Sequence, residues 1–147
     1  MSPISFNVAT ATSMLCVYDL ECLKHRLEDS ADWWTIPNDE MQEVNQGNIA
    51  FIGLGADGTY HVSLVDSLPN FQAEVRIKAP SGRLFVGAGE EVSSDGLEPE
   101  GLRGGRFVSV APGDYIVRIA KISNEVVIAI QPGGQGRNKL SSPLRLE

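Results

Sequence analysis

The sequence is short of histidine and cysteine, with two of each, and it contains no run of about 18 apolar residues. Each shortage closes off a class of function. Scaffolds that hold a catalytic metal cluster their histidines, whereas His25 and His61 are far apart in the chain and each falls on the polar side of its expected element. Both read as surface residues. Cys16 and Cys22 lack the two-residue spacing and the second ligand pair of a structural zinc site. In a chain without an export signal, two such thiols are expected to be reduced and buried. The N-terminus MSPISFNVATATSMLCVYDL has no basic leading region and no continuous apolar stretch. A cytoplasmic protein with no membrane partner is expected. A G-x-S-x-G nucleophile elbow is also missing, so we assign no catalytic residue, no cofactor and no metal, and expect a non-enzyme.

Basic residues are absent from long stretches. Between Leu27 and Val75 there are nine acidic side chains and no Lys or Arg. The run Glu90, Glu91, Asp95, Glu98, Glu100 is also free of basic residues, while residues 101–147 carry seven basic and three acidic ones. The net charge of -7 is therefore polarised along the chain. Such blocks either solvate loops or steer a basic partner, and they argue against nucleic acid as the ligand of that face.

One motif points elsewhere at first sight. Gly53-Leu54-Gly55-Ala56-Asp57-Gly58 spells the G-x-G-x-x-G of dinucleotide-binding folds, which requires a helix behind it to receive the pyrophosphate. Here Thr59 to Val65 alternates like a strand, and Asp66 comes too early to hold a ribose. Ala56-Asp57-Gly58 is expected to be the turn of a hairpin.

The rest of the chain reads as strands with two short helices. Strands are expected over 4–11 and 13–18, then a helix over about 19–28 capped by Asp19, with Leu20, Leu23 and Leu27 on one face. A second helix over about 38–46 is opened by Pro37 and closed by Gly47. Phe71 to Lys78 alternates apolar and polar without error, and Pro80-Ser81-Gly82, Pro112-Gly113-Asp114 and Ser123-Asn124-Glu125 turn the following strands. Seven or eight strands linked by turns predict a mainly β protein: one antiparallel β-sandwich domain over 1–131, jelly-roll or C2-like, with one or two short helices near its N-terminus. The tail 132–147, with its glycines and prolines, is either a strap along the surface or partly mobile. Its last two residues, Leu146-Glu147, read as vector-derived.

The order of these pieces resembles the competence protein J family. The resemblance is carried by an N-terminal strand, Asp32-Trp33 ahead of an acidic helix ending at Gly47, the strand NIAFIGL, the stretch FQAEVRIKAPSGRLFV, and RFVSVAPGDYIVRI with its Pro112-Gly113-Asp114-Tyr115 turn. It spans roughly residues 4–122. It implies a small acidic β-sandwich that binds and inhibits a bacterial DNA-uptake nuclease. The Gly-rich acidic loop 89–105 and the basic tail depart from that pattern. The chain is also similar in size and charge to the small acidic proteins that neutralise secreted bacterial toxins inside the producing cell.

The expected function is therefore an intracellular inhibitor or immunity protein, a monomer or weak homodimer, whose acidic face caps the basic groove of a nuclease-like toxin. A nuclease must be positive where it holds phosphates, so an acidic protein can occupy that groove by steered association. The expected contact residues are Asp32, Trp34, Asp39, Glu40 and Glu43, with Glu90, Glu91 and Asp95 in support. Of Trp33 and Trp34, one indole is expected beneath the helices and the other over less buried surface. The alternative is a small-ligand or carbohydrate-binding sandwich module with calcium in the 90–100 loop, although that loop lacks EF-hand spacing.

Overall fold

The computed structural model describes residues 4–26, with side chains through Lys24, and residues 35–92, 103–135 and 137–146. Ten strands fall in this order: β1 (Ile4–Thr10), β2 (Met14–Tyr18), β3 (Ile49–Gly53), β4 (Gly58–Val65), β5 (Ala73–Ala79), β6 (Arg83–Ala88), β7 (Arg106–Ser109), β8 (Gly113–Ile122), β9 (Glu125–Pro132) and β10 (Leu144–Arg145). They form two five-stranded sheets, β1-β4-β9-β8-β5 and β10-β3-β2-β6-β7. The mainly β sandwich is as expected, but its sheets are mixed. β4 runs parallel to β9 and β10 runs parallel to β3, while the other pairs are antiparallel.

The alternation read in the sequence sets the layers. β5 buries Ala73, Val75, Ile77 and Ala79 and turns Glu74, Arg76 and Lys78 outward, as a sheet with one wet face requires. β2 and β3 are buried at every residue. Part of the outer cover of β3 is α1 (Pro37–Asn45), which packs on it. Leu15, Ile77, Leu84, Ile119 and Ile128 fill the space between the sheets, while Phe51 and Phe85 are buried on the opposite face of the second sheet, all of them essentially inaccessible. Burial of each such side chain contributes about 1.5–3 kcal/mol.

Three local expectations change. The first helix is a 3-10 helix, Leu20–Arg26, whose three-residue turn suits the Leu20/Leu23 spacing better than an α-helix does. Asp19 caps it through the Glu21 N–H at 3.0 Å. Its other oxygen accepts from the Ser81 N–H and hydroxyl at 2.9 and 2.7 Å, tying the helix to the β5–β6 turn. The stretch 54–57 is not a hairpin. β3 and β4 lie in different sheets, so this turn carries the chain across the sandwich and leads into a strand, not a helix. Lastly, the tail is a strap with its own strand: Leu146, taken as vector-derived, is buried, and its N–H bonds the Gly53 carbonyl at 2.6 Å.

Two tyrosines staple the strand entries. Tyr60 donates its hydroxyl to the Ala56 carbonyl (2.7 Å) and Tyr115 to that of Ala111 (2.5 Å). Both belong to an A-x-G-x-Y repeat, Ala56 to Tyr60 and Ala111 to Tyr115, that the sequence reading overlooked. Gly58 and Gly113 adopt φ of 150° and 157°, which only glycine holds without strain. The two corners sit at opposite ends of one sheet, because β4 and β8 flank β9 in opposite directions.

Candidate functional site: an acidic end of the sandwich

The linkers at one end of the sandwich bring together carboxylates that are distant in sequence. β1 ends and β2 begins there, β3 crosses to β4, β6 runs into a 3-10 turn (Gly89–Glu91), and β9 and α1 begin. Glu40, Asp57, Glu90, Glu91 and Glu125 all lie on these linkers or element starts. Arg103 pairs with Glu90 and Arg145 with Glu40.

Glu90 is the hub. Its carboxylate accepts from the Thr10 hydroxyl (2.8 Å), the Ala11 N–H (2.6 Å) and the Thr12 hydroxyl (2.8 Å), and Arg103 Nη1 lies 3.3 Å away. Burial alone would raise this carboxyl, but the bonds from Ala11, Thr12 and Thr10 outweigh it and hold it below the ordinary glutamate range. Glu90 thus pins the β1–β2 linker to the 3-10 turn. On the far side of that linker, the Ser13 hydroxyl donates to exposed Asp57 at 2.6 Å, and the Leu54 N–H bonds the Ser13 carbonyl at 2.7 Å.

A hollow of about 300 Å³ opens beside it, with Thr12, Ser13, Thr35, Glu40 and Arg145 on its walls. Glu40 is only 4% exposed, and its oxygens face the Arg145 guanidinium at 3.3 and 3.4 Å. Gly53 makes this pair possible: a Cβ there would collide with the Arg145 stem. The segment 27–34 rejoins the described chain at Thr35, on the wall of this hollow. The segment 93–102 departs and returns at Val92 and Arg103, beside Glu90.

The expected contact residues therefore divide. Asp39 is half-exposed at the start of α1, and Glu91 is half-exposed beside Glu90. Glu90 is at the same end, but it works as an internal strut. Glu40 and Glu43 are corrections: both are buried, because Glu40, Glu43 and Val44 occupy the inward face of α1 at i, i+3 and i+4. Glu43 accepts from Asn48 Nδ2 at 2.7 Å. Neither presents a carboxylate to a partner. Asp32, Trp34 and Asp95, and Trp33 with them, lie outside the described residues.

The thiols are free, with Cys16 fully buried and Cys22 half-buried. Burial, followed by the charge of Asp19, pushes the Cys22 thiol up to about 11, and burial pushes Cys16 well above its usual value. His61 is half-exposed on the outer face of β4, and the His25 side chain lies outside the described residues. Among the described residues, no three of His, Cys, Asp and Glu gather as a metal site. For calcium at the 90–100 loop, the Glu90 oxygens already receive protein donors.

A family described as "Family of unknown function (DUF6386)" matches residues 1–146. The chain belongs to the DUF6386 family. No curated protein matches it. Among solved structures, this DUF6386 chain is similar to "Crocagin biosynthetic gene J", at 17% identity and a TM-score of 0.57, over 91% of this chain and all of that one. It is also similar to ComJ, inhibitor of the DNA degrading activity of NucA, from Bacillus subtilis. That match has 9% identity and a TM-score of 0.51, over 90% of this chain and 96% of ComJ. The competence protein J layout read from short signatures is thus a likeness of the whole fold. NIAFIGL supplies β3, FQAEVRIKAPSGRLFV supplies β5 and β6, and RFVSVAPGDYIVRI supplies β7 and β8.

Proposed function

We infer that this DUF6386 protein is a non-enzymatic binding protein that inhibits a nuclease, docking the acidic end of its sandwich against the enzyme's basic nucleic-acid groove. The observation that carries the reading is the convergence of Asp57, Glu90, Glu91 and Glu125 at one end, where the acid-rich segments 27–34 and 93–102 also join the described chain. The shared fold with an inhibitor of a DNA-degrading enzyme supports it. In this reading Asp39, Asp57 and Glu91 contact the partner, together with Asp32, Trp34 and Asp95. Glu90 ties the 3-10 turn that carries Glu91 to the β1–β2 linker. The partner is a basic protein inside the same cell, a toxin or a nuclease, and this protein meets it as a monomer or weak homodimer.

The test is capture from a lysate of the native cell followed by a DNA-degradation assay on the captured fraction. A basic nuclease that is released by high salt and silenced by one equivalent of this protein is the expected result. A captured protein without nuclease activity, or a nuclease that runs unchanged with the inhibitor in excess, would overturn the assignment.

A further inference from the structure

The far end of α1 borders a hollow of opposite character. It has a volume of about 660 Å³ and is walled by Arg76, Arg137 and Lys139 with Asn45, Asn138 and Leu140. Three other hollows among the described residues each have a carboxylate in the wall: Glu21 and Asp114, Glu40, or Asp19 and Glu21. This one has none. Among the described residues, none of its three cations is ion-paired with a carboxylate, although acidic residues outnumber basic ones 19 to 12 in the chain. Such a gathering of unneutralised charge attracts an anion.

The hollow is held in shape by bonds that do not use the cations. The Asn138 side chain accepts from the Arg76 N–H (2.8 Å) and donates to the carbonyls of Arg76 (2.8 Å) and Val44 (2.7 Å). Its own N–H bonds the Asn45 carbonyl at 2.9 Å. Asn45 and Leu140 exchange two further bonds, at 2.8 and 3.1 Å. These contacts cap the last carbonyls of α1, which would otherwise repel an anion. Asn138 and Leu140 face inward, so by the two-residue alternation of extended chain Arg137 and Lys139 face out together. Arg76 is held in the wall by Gly134, whose φ of 77° suits glycine and whose added Cβ would press on the Arg76 stem at 3.1 Å. Its neighbours on the β5 face each lie opposite a residue of the other charge. Glu74 pairs with Arg118 at 2.9 Å and Lys78 lies opposite Asp114, while Arg76 faces Ile116.

We propose that this hollow binds a small phosphorylated ligand through a di- or triphosphate group gripped by Arg76, Arg137 and Lys139. Guanidinium groups bind phosphate oxygens in pairs, and lysine adds a point charge. The volume suits a ligand of nucleotide size. The site is independent of the acidic end and of the inhibitor reading.

The probe is pyrophosphate, titrated calorimetrically into the full chain at constant ionic strength, with inorganic phosphate and a short DNA duplex in parallel. Pyrophosphate is expected to bind more tightly than phosphate. Arg76→Gln is expected to weaken it by at least about tenfold, the effect of losing charge-assisted bonds to one guanidinium. Because Arg76 is half-buried, the exposed pair Arg137→Gln with Lys139→Gln is a second variant, with the same expected loss and an unchanged circular dichroism spectrum. No binding of pyrophosphate up to about 5 mM, a range that reaches affinities too weak for a built site, would overturn the proposal. Equal affinity in the variants would do so too. DNA bound more tightly than pyrophosphate and lost in the same variants would replace it with a nucleic-acid surface.

Discussion

Replacing Glu90 with alanine removes the acceptor that three donors share. Ala11 and Thr12 are exposed and can turn to water, but Thr10 is only 3% exposed and its hydroxyl would keep only the longer contact to Thr12 Oγ1, at 3.3 Å. A buried donor so stranded costs about 1–3 kcal/mol. The half-exposed Arg103 pairing adds at most about 1 kcal/mol. A loss of about 1–3 kcal/mol follows, a fall of roughly 3–10 °C in Tm at this chain length. Urea unfolding followed by circular dichroism measures it, with Glu125→Ala, exposed and making no side-chain bond among the described residues, as the control expected within about 0.5 kcal/mol. The Glu90 carboxyl is held low in the folded protein, against about 4.3 when unfolded. The charge-dependent part of its stabilisation is therefore complete above about pH 4.3 and is lost as pH falls through the lower folded value. Wild type and variant should differ most near neutrality and less in acid. A difference below about 0.5 kcal/mol at pH 7, or one that persists undiminished to about pH 2, would refute the strut assigned to Glu90.

Tyr60→Phe and Tyr115→Phe should each lower stability by about 1 kcal/mol and add in the double variant, since the corners are at opposite ends of the sheet. Strong non-additivity would show that the corners are coupled. With its thiol pushed up to about 11, Cys22 should react with a disulfide reagent at pH 8 at least about tenfold more slowly than a free thiol of ordinary pKa, since the smaller thiolate fraction outweighs the greater nucleophilicity of that thiolate. A rate equal to that of a small free thiol would contradict the burial described. Asn138→Ala removes three side-chain bonds from the strap. Trypsin should then cut at Arg137 and Lys139 under conditions where the wild type stays intact, and identical digestion would mean that the strap is held elsewhere.

What could be read from the sequence was what local chemistry decides. The alternation in 71–78, the turns at Pro80-Ser81-Gly82 and Pro112-Gly113-Asp114, and Pro37 and Gly47 around α1 each fix a backbone geometry with neighbours close in the chain. Which sheet a strand joins is not such a property. Ala56-Asp57-Gly58 serves a crossover as well as a hairpin, and only the pairing of β4 with β1 and β9 distinguishes the two. The two-residue β10 carries no periodic signal. It is held by Gly53, nearly a hundred positions earlier in the chain, through the Leu146 N–H. The contact residues failed for a related reason. α1 has few apolar residues to mark its buried face, and its acids Glu40 and Glu43 are satisfied by Arg145 and Asn48. Val44 was the available signal, because position 40, four residues earlier, shares its face. The 89–105 loop departs from the family pattern and nothing in its sequence marks Glu90 as structural, although Glu90 organises that end of the molecule.

The measurement that bears most directly on the inhibitor reading is the association rate of this protein with the nuclease captured from its own cell, taken by stopped flow as salt is raised. Between about 0.01 and 1 M the screening length falls from about 30 to 3 Å. An acidic end steering onto a basic groove predicts an on-rate that drops steeply over this range while dissociation changes less, with Asp57→Asn slowing association at low salt. An on-rate indifferent to ionic strength, with Asp57→Asn binding as fast as the wild type, would contradict it.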